Sequence, residues 1–177
     1  SNVYGIVRTQ NYKSLLYYEN IYKKCVVING DILDKELIKR AIIENNISHI
    51  FHLAAQVEVG IATINPFDSF QTNTNGTYTL LSAINETKHN IKSIVVASTD
   101  KVYGKYPIRQ LPYKENYKLK CIYPYDVSKA CADLIAQSFS SNLHKIPISI
   151  TRFSNIYGPG QINFSALIPD LIRSSLG

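Results

Sequence analysis

Three side chains of this sequence have the types and spacing to move a proton on and off an alcohol: Thr99, Tyr125 and Lys129. Tyr125 and Lys129 are four residues apart, so on a helix they lie on the same face. A free tyrosine has a pKa of about 10 and is a poor base at neutral pH, but a neighbouring ammonium favours the phenolate and lowers that pKa. The pair could then accept a proton from a substrate hydroxyl as hydride leaves its carbon, and Thr99 could hydrogen-bond the same hydroxyl.

The Tyr-x-x-x-Lys spacing is weak evidence when it stands alone. The chain contains 13 tyrosines and one such pair, which is about the number that chance gives. Two side chains on an exposed helix surface are the plain alternative. The context favours the proton relay, because the pair opens a predicted helix and Thr99 ends the predicted strand before it.

The elements that would position these side chains follow from the apolar pattern. Short apolar runs rich in β-branched residues predict five strands buried on both faces, at 3–7, 25–28, 49–53, 94–97 and 146–150. Helical spacing predicts helices over 33–45, 66–88 and 123–143, and 9–24 indicates a loop with a short helix. This alternation predicts an α/β fold with a doubly wound parallel sheet wrapped by helices.

The residues that directly follow each predicted strand are nearly all small or polar. In a doubly wound sheet the ligand lies at the carboxyl ends of the strands. The segments at these ends are 8–9 (RT), 30–32 (GDI), 54–56 (AAQ), 98–101 (STDK) and 153–155 (FSN). The sequence therefore predicts a ligand crevice lined by strand ends.

Composition narrows the class of ligand. The net charge of the 177-residue chain is +6, but its lysines are scattered as on a solvated surface, which argues against nucleic acid and suits a phosphate-bearing ligand. No apolar run approaches the ~20 residues of a membrane helix, so no membrane partner is expected. The three cysteines lack metal spacing and are typical of thiols in a reducing cytosol, which indicates a cytoplasmic protein.

Five motifs occur in one order along nearly the whole chain: 51–56 (FHLAAQ), 73–77 (NTNGT), 98–104 (STDKVYG), 125–130 (YDVSKA) and 152–160 (RFSNIYGPG). This set resembles the extended short-chain dehydrogenase/reductases, specifically the nucleotide-sugar epimerases and dehydratases. The resemblance implies a Rossmann-like fold, a bound NAD or NADP, a nucleotide-sugar substrate and no metal. It also implies an oligomer, a homodimer when the protein has its full length.

The resemblance assigns roles to individual residues. The implied catalytic residues are Thr99, Asp100, Lys101, Tyr125 and Lys129. The implied cofactor-binding residues are Arg8, Asp31, Ile32, Leu53, Ala54, Ala55, Gln56, Thr72, Tyr125 and Lys129. The implied substrate-binding residues are Asn155 and Asn163. For Thr72, an ordinary polar helix face explains the residue equally well.

Arg8 bears on the choice between NAD and NADP. Dinucleotide folds that prefer NAD usually place Asp or Glu after the second strand, where it holds the ribose hydroxyls. An arginine at that position suits a 2′-phosphate, which gives a slight preference for NADP, although Arg8 could instead stack on the adenine.

Asp100 and Lys101, directly after Thr99, indicate the reaction. A 4-epimerase needs only the relay, whereas a 4,6-dehydratase must also remove the C5 proton and expel the C6 hydroxyl, which takes a further acid and base. Many family dehydratases have Thr-Asp-Glu here. Thr-Asp-Lys resembles the CDP-glucose 4,6-dehydratases and some dehydratases that act on UDP-N-acetylglucosamine. The intact Tyr-x-x-x-Lys helix favours the CDP-glucose-like group, and residues 5–8 resemble the GDP-mannose 4,6-dehydratases.

Several alternatives stay open at this stage. Lys101 is either a neutral base for the C5 proton, or a cation that stabilises the enolate, or an exposed loop lysine without a role. The protein is a nucleotide-sugar 4,6-dehydratase, a 4-epimerase, or a non-catalytic dinucleotide-binding protein on the same fold. The complete relay argues against the third, because a pure binding protein has no need of it.

The family's Gly-x-x-Gly-x-x-Gly turn does not occur in the 177 residues. We therefore expect a fragment that lacks the first strand–helix unit and most of the C-terminal substrate domain. In it, 1–155 form an NAD(P)-binding domain and 156–177 begin the substrate-binding region. Because that turn brings the backbone to the pyrophosphate, we expect these residues alone to bind no cofactor and to be inactive.

Overall fold

The structure is a computed structural model, and it describes residues 2–141, 144–161, 163–164 and 166–176. Its strands are β1 (Tyr4–Val7), β2 (Val26–Asn29), β3 (His49–His52), β4 (Ser93–Thr99) and β5 (Ile148–Phe153). Its α-helices are α1 (Leu15–Tyr18), α2 (Lys35–Glu44), α3 (Val59–Ile64), α4 (Pro66–Ser69), α5 (Gly76–Thr87), α6 (Pro124–Ser140) and α7 (Leu167–Leu176).

Every strand pairing in the described residues is parallel, which confirms the predicted α/β, Rossmann-like class. The strands form two sheets rather than the one predicted, with the orders β1-β2 and β3-β4-β5. The chain likewise divides into two compact units, Ser1–Gly30 with Asn155–Gly177 and Asp31–Ser154. The smaller sheet lies in the first unit and the three-stranded sheet in the second.

The prediction of β5 was too early by two residues at its start and three at its end. Pro147 has no N–H to donate to a ladder, and the strand begins at the next residue, Ile148. The Pro147 carbonyl still accepts the Ile94 N–H at 2.8 Å. The strand continues through Thr151 and Arg152 because their polar side chains find partners in the second unit.

The core of the second unit lies between β4 and the helices α2, α5 and α6. Its fully buried side chains include Ile38 of α2, Leu81 of α5, Ile94 and Val96 of β4, and Ala136 of α6. Helix α2, predicted over 33–45, begins two residues later at Lys35, because Asp34 caps it: its carboxylate accepts the Leu37 N–H at 2.9 Å.

A buried carboxylate fastens α6 to the sheet. Asp133 accepts hydrogen bonds from Ser98 Oγ of β4 at 2.8 Å, from Gln137 at 2.6 Å, and from Arg152 of β5 at 2.9 and 3.0 Å. Burial by itself would raise the pKa of Asp133, but the hydrogen bonds from Arg152, Gln137 and Ser98 outweigh it and lower the pKa. Helix α6 is thereby held in one register against the two strands.

Leu81→Ala is expected to lower the free energy of unfolding by about 2–5 kcal/mol, because it opens a cavity at a fully buried core position. Leu134→Ala is the matched control on α6, where the side chain is 55% exposed, and it should cost less than about 1 kcal/mol. Urea denaturation of both variants measures the difference. Equal losses would contradict this description of the core.

Asp133→Asn is expected to lower the free energy of unfolding at pH 7 by on the order of 3 kcal/mol, because it leaves Arg152 without its carboxylate. The pKa of Asp133 is lower in the folded than in the unfolded protein. The contribution of Asp133 to the free energy of unfolding is therefore fully present above its unfolded-state pKa of about 3.9, and it is lost as the pH falls through its folded-state pKa.

The stability difference between the unchanged protein and Asp133→Asn should thus narrow below about pH 4. Urea titrations at a series of pH values measure it. A stability difference that stays constant down to acidic pH would show that the ionised Asp133 carboxylate is not the group that Arg152 needs as its partner.

Candidate functional site

The candidate site lies at the carboxyl end of β4 in the second unit. Thr99 ends the strand, and a 3₁₀ turn, Asp100–Tyr103, follows at once. The Thr99 hydroxyl accepts the Lys101 N–H at 3.3 Å and donates to the Asp100 carboxylate at 3.4 Å. Thr99 therefore caps the turn that carries both predicted acid–base residues.

Helix α6 supplies the other half of the relay. It begins at Pro124, whose fixed φ and missing N–H suit a first helical position. Tyr125 and Lys129 lie one turn apart and are only 8% and 7% exposed. The Lys129 ammonium donates to the Ala97 carbonyl of β4. Burial lowers the pKa of Lys129 to about 8, against the opposing charge of Asp133.

The expectation that Lys129 lowers the pKa of Tyr125 is wrong for this structure. The pKa of Tyr125 is raised, first by burial and then by the negative charges of Asp126 and Asp100. Lys129 is directed to the strand carbonyl instead. The ammonium that faces the tyrosine ring is that of Lys101, 5.9 Å from the ring centroid.

Asp126 belongs to the same group of charges, and sequence reasoning missed it. It is 8% exposed. Burial raises its pKa, the Lys101 charge lowers it and the Asp100 charge raises it. Its position directly after Tyr125, in the first turn of α6, was the available signal, but an acidic residue is common there for helix capping alone.

The loop after β3 is fastened to α6 by Asn73. The Asn73 side chain accepts the Gln56 N–H at 2.8 Å, and its amide donates to the Gln56 carbonyl at 3.0 Å and to Ser128 Oγ at 2.9 Å. Ser128 Oγ in turn donates to the Tyr125 carbonyl at 2.7 Å. Asn73 lies in a π-helical turn, Phe70–Asn75, inside the helix predicted for 66–88, and such turns are frequent at functional sites.

The predicted cofactor residues fall in both units. In the second unit, Leu53 and Ala54 are exposed, whereas Ala55, Gln56 and Thr72 are half-buried. Asp31 caps its own loop by accepting the Leu33 N–H at 2.9 Å. Ile32 packs against the core. It also lies close to Gly76, because a Cβ atom on residue 76 would come within 2.8 Å of the Ile32 side chain. Arg8, a predicted cofactor residue, and the predicted substrate-binding residues Asn155 and Asn163 belong to the first unit, and all three are exposed.

His52 is buried at the carboxyl end of β3. Its Nε2 lies 2.8 Å from Thr77 Oγ1, whose hydroxyl donates to the Asn73 carbonyl at 2.7 Å. Because the Thr77 proton is already used, His52 must donate through Nε2–H. Burial and then the charge of Lys129 lower the pKa of His52 to about 4, so the ring is neutral at physiological pH.

Within the described residues, no three His, Cys, Asp or Glu side chains come together in a way that could hold a metal ion. The same part of the chain has no helix of the length and apolarity needed to cross a bilayer.

The geometry thus gathers a phenol, two carboxyl groups and an ammonium at one strand end: Tyr125, Asp100, Asp126 and Lys101. Lys129 is buried one turn after Tyr125 on α6. Groups of this kind can exchange a proton with a hydroxyl and with a carbon acidified by a ketone. The fold and chemistry together raise the question of which known proteins share them.

Comparison with known proteins gives a consistent answer. CDP-glucose 4,6-dehydratase of Salmonella typhimurium is 33% identical over 155 residues, which are 82% of this chain and 42% of that protein. The crystal structure of dTDP-glucose 4,6-dehydratase from Bacillus anthracis in complex with NAD superposes with a TM-score of 0.81 at 30% identity, over 99% of this chain and 53% of that one.

An epimerase structure is also similar. UDP-glucose 4-epimerase of Thermotoga maritima, solved with UDP-glucose, gives a TM-score of 0.78 at 25% identity, over 90% of this chain and 50% of that one. The chain spans less than half the length of the curated relatives it matches. The family model described as GDP-mannose 4,6 dehydratase matches residues 1–175, and the chain therefore belongs to that family.

Proposed function

We propose that this chain is part of a nucleotide-sugar 4,6-dehydratase that works with a bound nicotinamide dinucleotide. The observation that carries the proposal is the turn after β4, where Asp100 and Lys101 follow the capping Thr99 and the Lys101 ammonium faces the Tyr125 ring. This adds an acid–base pair to the relay, which a 4-epimerase does not need. The 4,6-dehydratases among the relatives support the same choice.

The residues fit a dinucleotide at the end of β3. The loop there contains Ala54 and Ala55, whose small side chains leave its backbone accessible, and Asn73 fixes Gln56 at its far end. When bound, the nicotinamide takes a hydride from the sugar and returns it. The NAD in the related crystal structure supports NAD(P), and the slight preference for NADP drawn from Arg8 has no support among the relatives.

The first step is oxidation at C4, in which Tyr125 accepts the proton of the C4 hydroxyl and Thr99 orients that hydroxyl. Because burial raises the pKa of Tyr125, the phenolate needs a positive charge nearby, and Lys101 supplies one at its ring. Lys129 holds the helix to β4 through the Ala97 carbonyl and adds a second positive charge below it.

The second step is the loss of water across C5 and C6. The C4 ketone acidifies the C5 proton, so a modest base removes it, and Asp100 protonates the departing C6 hydroxyl. Lys101 is either that base in its neutral form or the cation that stabilises the enolate. Return of hydride to C6 and of a proton to C5 gives a 4-keto-6-deoxy sugar nucleotide.

Further features belong to the same proposal. The substrate is a nucleotide-sugar that contacts Asn155 and Asn163, and the protein is a cytoplasmic homodimer without nucleic-acid or membrane partners. Residues 1–155 form the dinucleotide-binding domain and 156–177 begin the substrate-binding region. A 4-epimerase is the second candidate, which the similar epimerase structure supports.

Tyr125→Phe is expected to slow C4 oxidation by about 10²- to 10⁴-fold, the usual loss when a positioned proton acceptor is removed. The measurement is single-turnover reduction of the cofactor, followed by nicotinamide absorbance, in the complete protein with nucleotide-sugars. Tyr123→Phe is the matched control, since that ring is 53% exposed two residues earlier. Equal rates in Tyr125→Phe and the control would exclude the relay.

Lys101→Ala is expected to slow product formation, because C4 oxidation loses the positive charge at the Tyr125 ring and the elimination loses its base or its enolate-stabilising cation. In D₂O the unchanged protein should give a 4-keto-6-deoxy product with deuterium at C5, and the variant should form it about 10²-fold more slowly. The exposed Lys105→Ala is the control. Normal product formation by Lys101→Ala would remove Lys101 from the mechanism, and a 4-epimer without deoxygenation from the unchanged protein would establish the epimerase instead.

A further inference from the structure

The 3₁₀ turn after β4 is held in place through its second half. Its first two side chains, Asp100 and Lys101, are half-buried and exposed, respectively. Its last two, Val102 and Tyr103, are 0% and 4% exposed and pack with Ala130 of α6. A single 3₁₀ turn has few hydrogen bonds of its own. The position of the two acid–base residues therefore depends on how the two buried residues after them are fixed.

The Tyr103 side chain has directional contacts in addition to its apolar packing. Its hydroxyl accepts a hydrogen bond from Arg152 Nη1 at 2.9 Å, and the guanidinium carbon of Arg152 lies 5.1 Å from the centroid of the Tyr103 ring. The ring also stacks on that of Tyr113, with the centroids 4.9 Å apart and an interplanar angle of 23°. A ring with these contacts cannot slide without losing one of them, so it fixes the end of the turn.

Arg152 is a firm partner because Asp133 already holds its guanidinium. The Nε and Nη2 groups of Arg152 donate to the Asp133 carboxylate at 2.9 and 3.0 Å, and Nη1 also donates to the Glu115 carbonyl at 2.9 Å. Bidentate pairs of arginine and carboxylate are strong and geometrically specific. Asp133 lies on α6 and Arg152 on β5, so the Tyr103 hydroxyl joins the turn to both of these elements.

We propose that Tyr103 is a positioning residue of this site: its hydroxyl, held by Arg152, fixes the turn that presents Asp100 and Lys101 to the substrate. Tyr103 acts through these two residues and not on the reacting atoms. Thr99 caps the start of the turn and Tyr103 anchors its end, so the backbone that carries both acid–base groups is fixed at both ends. The consequence for catalysis rests on the proposed function, whereas the anchoring of the turn does not.

The anchoring is tested without an activity measurement, by amide hydrogen exchange of the complete protein read by mass spectrometry. Tyr103→Phe removes the hydroxyl and keeps the ring. Peptides that cover 100–104 should then exchange about three- to thirtyfold faster, because a turn without its hydrogen bond to a charged group opens more often. Peptides from the core helix α5 should exchange as before. An unchanged rate at 100–104 would overturn the proposal.

Tyr117→Phe is the matched control, since it removes the same group from the same cluster of tyrosines. The Tyr117 ring packs against the cluster that contains Tyr103, but its hydroxyl donates to the Gln110 carbonyl, at 2.8 Å, outside the turn. This variant should leave exchange at 100–104 unchanged. Equal acceleration in both variants would show a general loosening of the segment and would overturn the proposal.

Arg152→Lys is the second variant, and it serves also if Tyr103→Phe does not fold. It keeps a positive charge for Asp133 but loses the planar fork that reaches Asp133 and Tyr103 together. Exchange at 100–104 should rise by a factor similar to that in Tyr103→Phe, and the double variant should show no further rise. Factors that multiply in the double variant, or no rise in Arg152→Lys, would overturn the proposal.

The positioning role is tested by separating kcat from KM in the complete protein, with CDP-glucose and dTDP-glucose as probes. Tyr103→Phe should lower kcat for the 4-keto-6-deoxy product about three- to thirtyfold and leave KM within about twofold, because misplaced acid–base groups slow the reaction without weakening substrate binding. Tyr117→Phe should change neither constant. Equal kcat values in the two variants would overturn the positioning role.

Failure of the proposed function would be recognised separately. The unchanged protein would then form no 4-keto-6-deoxy product from either probe, while the exchange result at 100–104 would still stand.

Discussion

The buried carboxylate of Asp133 is the interaction on which the rest of the site depends. An amphipathic helix on a sheet can shift along its axis at little cost in apolar burial, but directional hydrogen bonds from Ser98 of β4 and Arg152 of β5 permit one position. Arg152 also donates to Tyr103 Oη and to the Glu115 carbonyl, each at 2.9 Å. One ion pair therefore sets α6 against the sheet and ties down the segment that follows the turn after β4.

A second set of hydrogen bonds, centred on Asn73, fastens the loop after β3 to the same helix. The π-helical turn places this side chain where it satisfies both backbone groups of Gln56 and reaches Ser128. Ser128 lies on α6 between Tyr125 and Lys129 in the chain, so Asn73 joins the loop after β3 to the segment that carries both predicted relay residues. These hydrogen bonds hold the loop after β3 and the first two turns of α6 in one position relative to each other, and they do so without flexible side chains.

The first turns of α6 and the turn after β4 contribute differently to the electrostatics of the site. On α6, burial raises the pKa of Tyr125 and lowers that of Lys129 to about 8, so near pH 7 the tyrosine is neutral and the lysine is still mostly charged. Charge that can act on the tyrosine ring comes from the turn after β4, through Lys101. In the proposed reaction, the two residues after Thr99 are what make elimination of water chemically accessible.

The sequence by itself determined the strands and the three long helical segments, because these depend on local periodicity, whereas helices α3 and α7 were not predicted. Short apolar, β-branched runs predicted the parallel α/β class and all five strands, the spacing of Tyr125 and Lys129 predicted a shared helix face, and Thr99 was placed at the end of β4. The expected burial of every strand on both faces is wrong, since β4 alone among the five strands has no exposed residue. Only the tertiary structure decided what each group faces. It directed Lys129 to a strand carbonyl, placed Lys101 at the Tyr125 ring and left Asp126 only 8% exposed. It also divided the strands between two sheets. Such outcomes depend on contacts between residues far apart in the chain and on the burial they produce, which no local spacing encodes.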